Sequence, residues 1–331
     1  MSNLFIIGAG ASIPYGFPSG EKLITQIERL LEPAKSIDEL FRKGRGEIIK
    51  TIIRYEDKNL VSGKLLKEVL NDLKTFPVET IDDYIRNRVD YKDYIATIQR
   101  IIAACILYYE RNMVDTNNWI QLLCNRLDRW GKGFEYNFFK SKFIIFNYDR
   151  IFEHTIFKYL TKVKGHAEYS AMDIINNSMN IIHIHGSLGT LNDLKFGAEQ
   201  VDNSVTQKLR TIWDRVGNAR DRWGFNDDRV NGYIHESNRI FFLGFGYLNA
   251  NLEILDIWDG SEILNRKEIY GTAVGLSNYR VSEIRELMKF CGANKVEIYE
   301  CFANDLIKDY FNLSKLDFPP LGILRRSSKT I

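Results

Sequence analysis

The strongest constraint on the fold is a short apolar run that stops in glycine. Leu4-Phe5-Ile6-Ile7 is followed by Gly8-Ala9-Gly10-Ala11-Ser12, and then by Gly16-Phe17-Pro18-Ser19-Gly20. An abrupt strand end before a polar helix start is how a first β-strand delivers a nucleotide to a helix N-terminus. Gly8 and Gly10 tolerate backbone angles that a side chain forbids, and they let a phosphate approach the main chain. The same residues also suit an ordinary tight turn, so the rest of the chain has to decide between the two.

Ser19-Gly20-Glu21-Lys22 offers an N-cap with an acid in the first turn, and Leu23, Ile24, Ile27, Leu30 and Leu31 give the following helix an apolar face. From Ala34 to Gly133 strand signals vanish. Helical stripes replace them at Leu65, Leu66, Val69, Leu70 and Leu73, then from Ile95 to Tyr109, then from Trp119 to Leu127. Glu79-Thr80-Ile81-Asp82-Asp83-Tyr84 reads as a helix start capped by Thr80, its acids serving the helix terminus. Residues 34–133 are therefore predicted to be an all-helical insertion.

Strand signals return at Phe143–Phe146, Ile181–Ile184, Arg239–Leu243, Ile269–Val274 and Val296–Tyr299. With the first run they make about six strands, apolar throughout and mostly separated by helices. That pattern predicts an α/β protein with a Rossmann-like, doubly wound parallel sheet, built from residues 1–33 and 134–331. Within it, 190–237 is polar and Trp-bearing and reads as a lid-like helical excursion.

Charge and composition exclude several classes. A net charge of +2 over 331 residues argues for neither nucleic acid nor a membrane surface. The arginines and tryptophans of 208–223 read as a solvated helix face and a contact surface. The longest central apolar stretch, Ile101–Tyr109, is too short to span a bilayer, and Leu4 already belongs to a strand, leaving no room for a signal peptide. Cys105, Cys124, Cys291 and Cys301 form no Cys-x-x-Cys pair, so no zinc ribbon and no metal site is expected. Scattered thiols fit a reducing cytoplasm.

In a parallel sheet the ligand sits beyond the carboxyl ends of the strands. Those ends carry Gly8-Ala9-Gly10, Asn147-Tyr148-Asp149, His185-Gly186 and Gly244-Phe245-Gly246-Tyr247. His185 is a candidate general base near neutral pH, the alternative being a structural histidine bonded to a loop carbonyl. His183, two residues earlier on the strand, should share its face but sit deeper, in a structural role. Asn147 would hold a sugar hydroxyl, orient a water or simply close a strand. Asp149, Ser12 and Asn251 are each divided between helix capping and ligand contact.

Taken together these residues resemble the sirtuin fold family. The Gly-Ala-Gly-x-Ser turn followed by Gly-Ile-Pro matches Gly8-Ala9-Gly10-Ala11-Ser12 and Gly16-Phe17-Pro18. The Gln-Asn-x-Asp motif matches Phe146-Asn147-Tyr148-Asp149, and His-Gly matches His185-Gly186. Order and spacing agree apart from the insertion. The four-cysteine zinc module of sirtuin deacylases is missing, and Ser19-Gly20-Glu21 stands where Asp-Phe-Arg is usual. In these departures the chain is similar to the sirtuin-like NAD hydrolases of bacterial antiphage defence. That resemblance implies Asn147 and His185 as the catalytic pair. It implies a dinucleotide site at Gly8, Ala9, Gly10, Ala11, Ser12, Phe17, Pro18, Asp149, Gly244, Gly246, Tyr247 and Asn251. NAD would be the substrate, cleaved at the nicotinamide–ribose bond without a metal. Control by homo-oligomer assembly, in some systems with a HerA-type ATPase, is also implied.

Three rivals remain. A non-catalytic sensor of NAD or ADP-ribose would need neither Asn147 nor His185. A protein deacylase would want the zinc cysteines. A dehydrogenase would want Gly-x-Gly-x-x-Gly, but Ile13 stands at the third glycine.

Overall fold

The computed structural model describes residues 2–31, 63–75, 81, 84, 92–114, 119–129, 133–178, 180–199, 203–209, 228–258 and 260–311. Six strands, β1 (Asn3–Ile7), β2 (Ser141–Ile145), β3 (Asn180–His183), β4 (Arg239–Leu243), β5 (Glu268–Thr272) and β6 (Lys295–Tyr299), form one sheet. The order is β3-β2-β1-β4-β5-β6. Every pairing is parallel, with Asn3 opposite Ser141 on one side and Arg239 on the other. The chain steps outward from β1 through β2 to β3, then returns to the far side of β1 to lay down β4, β5 and β6. The order therefore reverses between β1 and β4, and the crevice above their carboxyl ends is the switch point of the sheet.

The helices are α1 (Gly20–Leu31), α2 (Gly63–Thr75), α3 (Lys92–Arg111), α4 (Trp119–Asp128), α5 (Phe134–Phe139) and α6 (Ile151–Lys158). They continue with α7 (Glu168–Ser178), α8 (Asn203–Thr206), α9 (Asp228–Glu236), α10 (Asn249–Ile254), α11 (Asn278–Phe290) and α12 (Ala303–Tyr310).

β1, β2 and β4 are buried along their whole length, which is why they read as continuous apolar runs. On one face Phe5 stacks between Phe143 and Phe241 at 5.3 and 5.2 Å between ring centroids. Helices α1 to α7 and α12 contribute to that core. On the other face Leu4, Ile6, Ile144 and Phe242 pack with side chains of α9, α10 and α11. The helical stretch between β1 and β2 is continuous with the sheet: Val69, Ile98, Ile102 and Trp119 share one core with Phe5 and Phe143.

Several local features differ from the sequence expectation. A 3-10 segment, Ala9–Tyr15, precedes α1 and contains Pro14; Gly16, at φ 91°, terminates it. Helices α5, α7 and α12 were not read from the sequence. Of the proposed helix start at Glu79–Tyr84 only Ile81 and Tyr84 are described, both helical and buried. Residues 210–223 of the basic run and the tail beyond 311 lie outside the described residues. Among the described residues no helix is long and apolar enough to cross a membrane.

Candidate functional site

The turns after β1 and β4 lock into each other. The Gly8 amide donates to the Leu243 carbonyl and the Gly10 amide to the Gly244 carbonyl, both at 2.9 Å. A Cβ on Gly8 would come within 2.6 Å of the Gly244 oxygen, and one on Gly10 within 2.8 Å. Gly244 itself has φ +57°, and a Cβ there would meet the Ala11 nitrogen at 1.9 Å. The glycines are thus demanded by backbone–backbone contact inside the protein. Both amides are thereby engaged with carbonyls at the end of β4.

The same turn aims Ser12 at the end of β2. Ser12 Oγ donates to Asp149 Oδ2 at 2.8 Å, and Asn147 Nδ2 donates to Ser12 Oγ at 2.8 Å. All three residues are buried. Asp149 Oδ1 also accepts the Ile151 amide at 3.2 Å, capping the start of α6. Asp149 thus takes the capping role, one of the two that the sequence left open, and also holds Ser12. Asn147 Oδ1 is buried without a hydrogen-bond partner among the described residues.

Burial raises the Asp149 carboxyl to about 6, with Glu153 and Glu110 adding to the rise, while the Ser12 and Ile151 hydrogen bonds oppose it. Its folded pKa thus lies above the unfolded value. The native state binds the extra proton between about pH 4 and 6, and stability falls as pH rises through that window. Relative to Asp149→Asn, the wild type should lose about 3 kcal/mol between pH 4 and pH 7. Urea unfolding of both proteins across that range checks this; parallel stability curves would contradict it.

His183, the last residue of β3, is held at both ring nitrogens. Nδ1 lies 3.3 Å from the Asn147 carbonyl, and Nε2 pairs with Glu153 Oε1. Burial disfavours charge on either partner, yet the pair's mutual attraction and hydrogen bond outweigh it, lifting His183 and lowering Glu153. His183 thus pins the main chain at Asn147, but it is less buried than His185, against the expectation that it would sit deeper. His185 follows the strand in a turn before Gly186, which has φ 66°. Its ring lies 5.7 Å from Phe146 and 5.6 Å from Tyr148, the neighbours on either side of Asn147.

The other predicted contacts divide. Ala11 is buried and its carbonyl accepts Trp119 Nε1 at 2.8 Å, tying α4 to the glycine turn. Phe17 is buried with its ring 5.5 Å from Tyr109, and Ala9 and Pro18 are half-buried beside this segment. Gly246 is exposed with open space around it, and Asn251 is half-buried in the first turn of α10. Tyr247 is not at the crevice surface. It is fully buried at φ 52° against Phe242 and Phe245, and its hydroxyl occupies the space that a Cβ on Gly271 would fill. An aromatic after a glycine turn satisfies a core as readily as a ligand.

One strong feature was not read from the sequence. Arg150 grips Glu110 of α3 through Nε–Oε1 at 3.0 Å and Nη2–Oε2 at 2.7 Å, with both side chains buried. Arg150 also donates to the carbonyls of Thr190 and Leu194, and Glu110 Oε2 accepts the Gly197 amide at 2.8 Å. The pair fastens α3 and the 190–199 segment to the turn after β2.

A cleft of about 540 Å³ opens elsewhere, lined by His235, Asp256, Glu262, Asn265, Arg266 and Lys267. It lies at the amino ends of β4 and β5, the wrong edge for a parallel-sheet ligand. Lys267 Nζ there is spent on the carbonyls of His235 and Ser237. The buried line at the carboxyl ends is the better candidate. Among the described residues no group of three His, Cys, Asp or Glu side chains is placed to hold a metal ion. A scan against protein-family models matches none of them, and a search of curated proteins finds no matching relative.

Proposed function

We propose that this protein is an NAD glycohydrolase that cleaves the nicotinamide–ribose bond to give nicotinamide and ADP-ribose. The observation that carries the reading is the hydrogen-bonded line Asn147–Ser12–Asp149 at the carboxyl ends of β1 and β2, with Asn147 Oδ1 buried and unpartnered among the described residues. An amide oxygen left without a donor in a buried crevice suits a sugar hydroxyl or a water. In the reaction the C1′–N1 bond breaks with its electron pair passing to the pyridinium nitrogen, which becomes neutral. Water oxygen adds to the oxocarbenium-like C1′, and His185 accepts the proton that the water gives up. Asn147 orients the ribose or the water. The sirtuin-like sequence pattern supports this assignment. It also supports a role as an NAD-depleting effector in antiphage defence, acting in the cytoplasm and switched by self-assembly or by a HerA-type ATPase partner.

Purified protein incubated with NAD should release nicotinamide. Asn147→Ala and His185→Ala should each lower the rate at least about 100-fold, the scale of losing a positioned acid–base or orienting group. Activity that survives in both variants would remove the assignment. Burial of both Asn147 and His185 favours one second reading, a sensor that binds NAD or ADP-ribose without turnover. Tight binding with no nicotinamide release, alone or with its partner, would select it.

A further inference from the structure

Arg111, the last residue of α3, has both terminal nitrogens, Nη1 and Nη2, buried with no hydrogen-bond partner among the described residues. Leaving a guanidinium dry and unpaired costs several kcal/mol, so such a group persists where an anion completes it. Its neighbours along the chain touch the segments that carry the candidate site. Tyr109, two residues back, lies on Phe17; Glu110 holds Arg150 and the Gly197 amide; the Val114 amide donates to the Tyr15 carbonyl at 3.1 Å. The backbone of Gly197 lies directly on Arg111, where a Cβ would come within 3.3 Å of Arg111 Cγ. The end of α3 is therefore wedged between the segment after β1, the turn after β2 and the loop after β3.

We propose that Arg111 is an anion-binding residue of this crevice and that its ligand is the pyrophosphate of the dinucleotide, an inference that rests on the NAD reading above. The amides of Gly8 and Gly10, which the glycine turn would otherwise present to a phosphate, are occupied by Leu243 and Gly244. The diphosphate's charge then needs another counterpart at this end of the sheet. A guanidinium supplies it, because its planar fork matches two phosphate oxygens at once.

The test uses the full chain, calorimetric binding, and Arg111→Gln and Arg111→Lys. ADP-ribose, inorganic pyrophosphate and nicotinamide riboside serve as probes. Arg111→Gln should bind ADP-ribose about 10- to 100-fold more weakly, the scale of lost charge-assisted hydrogen bonds, and nicotinamide riboside equally well. Arg111→Lys should keep part of the affinity. The unliganded Arg111→Gln protein should melt no lower than wild type, since a buried unpaired charge has been removed. Equal ADP-ribose affinity in wild type and Arg111→Gln, a parallel loss for nicotinamide riboside, or a lower melting temperature would overturn the inference. Binding of inorganic pyrophosphate but not ADP-ribose would overturn the dinucleotide as its source. Nicotinamide release with Arg111-independent binding overturns this inference alone. Arg111-dependent ADP-ribose binding without nicotinamide release overturns the hydrolase reading alone, and no binding of any probe by wild type overturns both.

Discussion

Gly244→Ala should unfold or nearly unfold this protein, costing at least about 4 kcal/mol. Two effects add. Alanine resists the left-handed backbone at φ +57°, by roughly 1–2 kcal/mol. Its methyl would also stand 1.9 Å from the Ala11 nitrogen and 2.3 Å from the Gly10 carbonyl carbon, both main-chain atoms that cannot rotate away. The turns after β1 and β4 would have to separate, breaking the Gly10–Gly244 hydrogen bond and displacing Ser12 from Asp149. Gly246→Ala is the control, because its Cβ would enter open space at an unremarkable φ; it should change stability by less than about 1 kcal/mol in either direction. Urea unfolding of the two variants side by side gives the answer. Equal stability would show that the turns are not interlocked.

The second large effect concerns Glu110 and Arg150. Glu110→Ala leaves a buried guanidinium without its counter-charge, and Arg150→Met leaves a buried carboxylate without one; each should cost about 3–5 kcal/mol. The double variant Glu110→Leu/Arg150→Met should be much less damaged than the sum of the two, since both charges are gone. It should not recover fully, because the carbonyls of Thr190 and Leu194 and the Gly197 amide lose their partners with the pair. Chemical denaturation of the four proteins closes the cycle. Strictly additive losses would mean the two side chains act independently.

These two features also mark the limits of reading the chain alone. The six strands and helices α1 to α4 were legible because burial on one or both faces leaves an apolar pattern in consecutive residues. β4 was bounded as observed, and the others within one or two residues, Phe146 and Val274 lying past the strand ends. The grouping of Ser12, Asn147 and Asp149 followed from one topological rule about strand ends. What that rule could not supply is which backbone atoms are already engaged. The glycines of the first turn were visible, but their contact is Gly244, 236 residues further along than Gly8 by pairing of the same two strands as Asn3 and Arg239. Glu110 and Arg150 lie 40 positions apart, and nothing local in either segment signals the pairing. That the Tyr247 ring packs inward against Phe242 and Phe245 had no mark in the sequence.

The order of the strands has a consequence for how this chain is made. β1 is central, yet it is the first of these six strands to be made. Its register partner Arg239 follows Asn3 by 236 residues, and Asp149, to which Ser12 is tied, follows Ser12 by 137. At translation rates of about 5–20 residues per second, the apolar segment Asn3–Ile7 waits many seconds for its neighbours. Folding with such remote pairing is slow, and an unpaired apolar strand is adhesive meanwhile. Helices α1 to α4, made before β2, are the first native surface against which β1 can shelter.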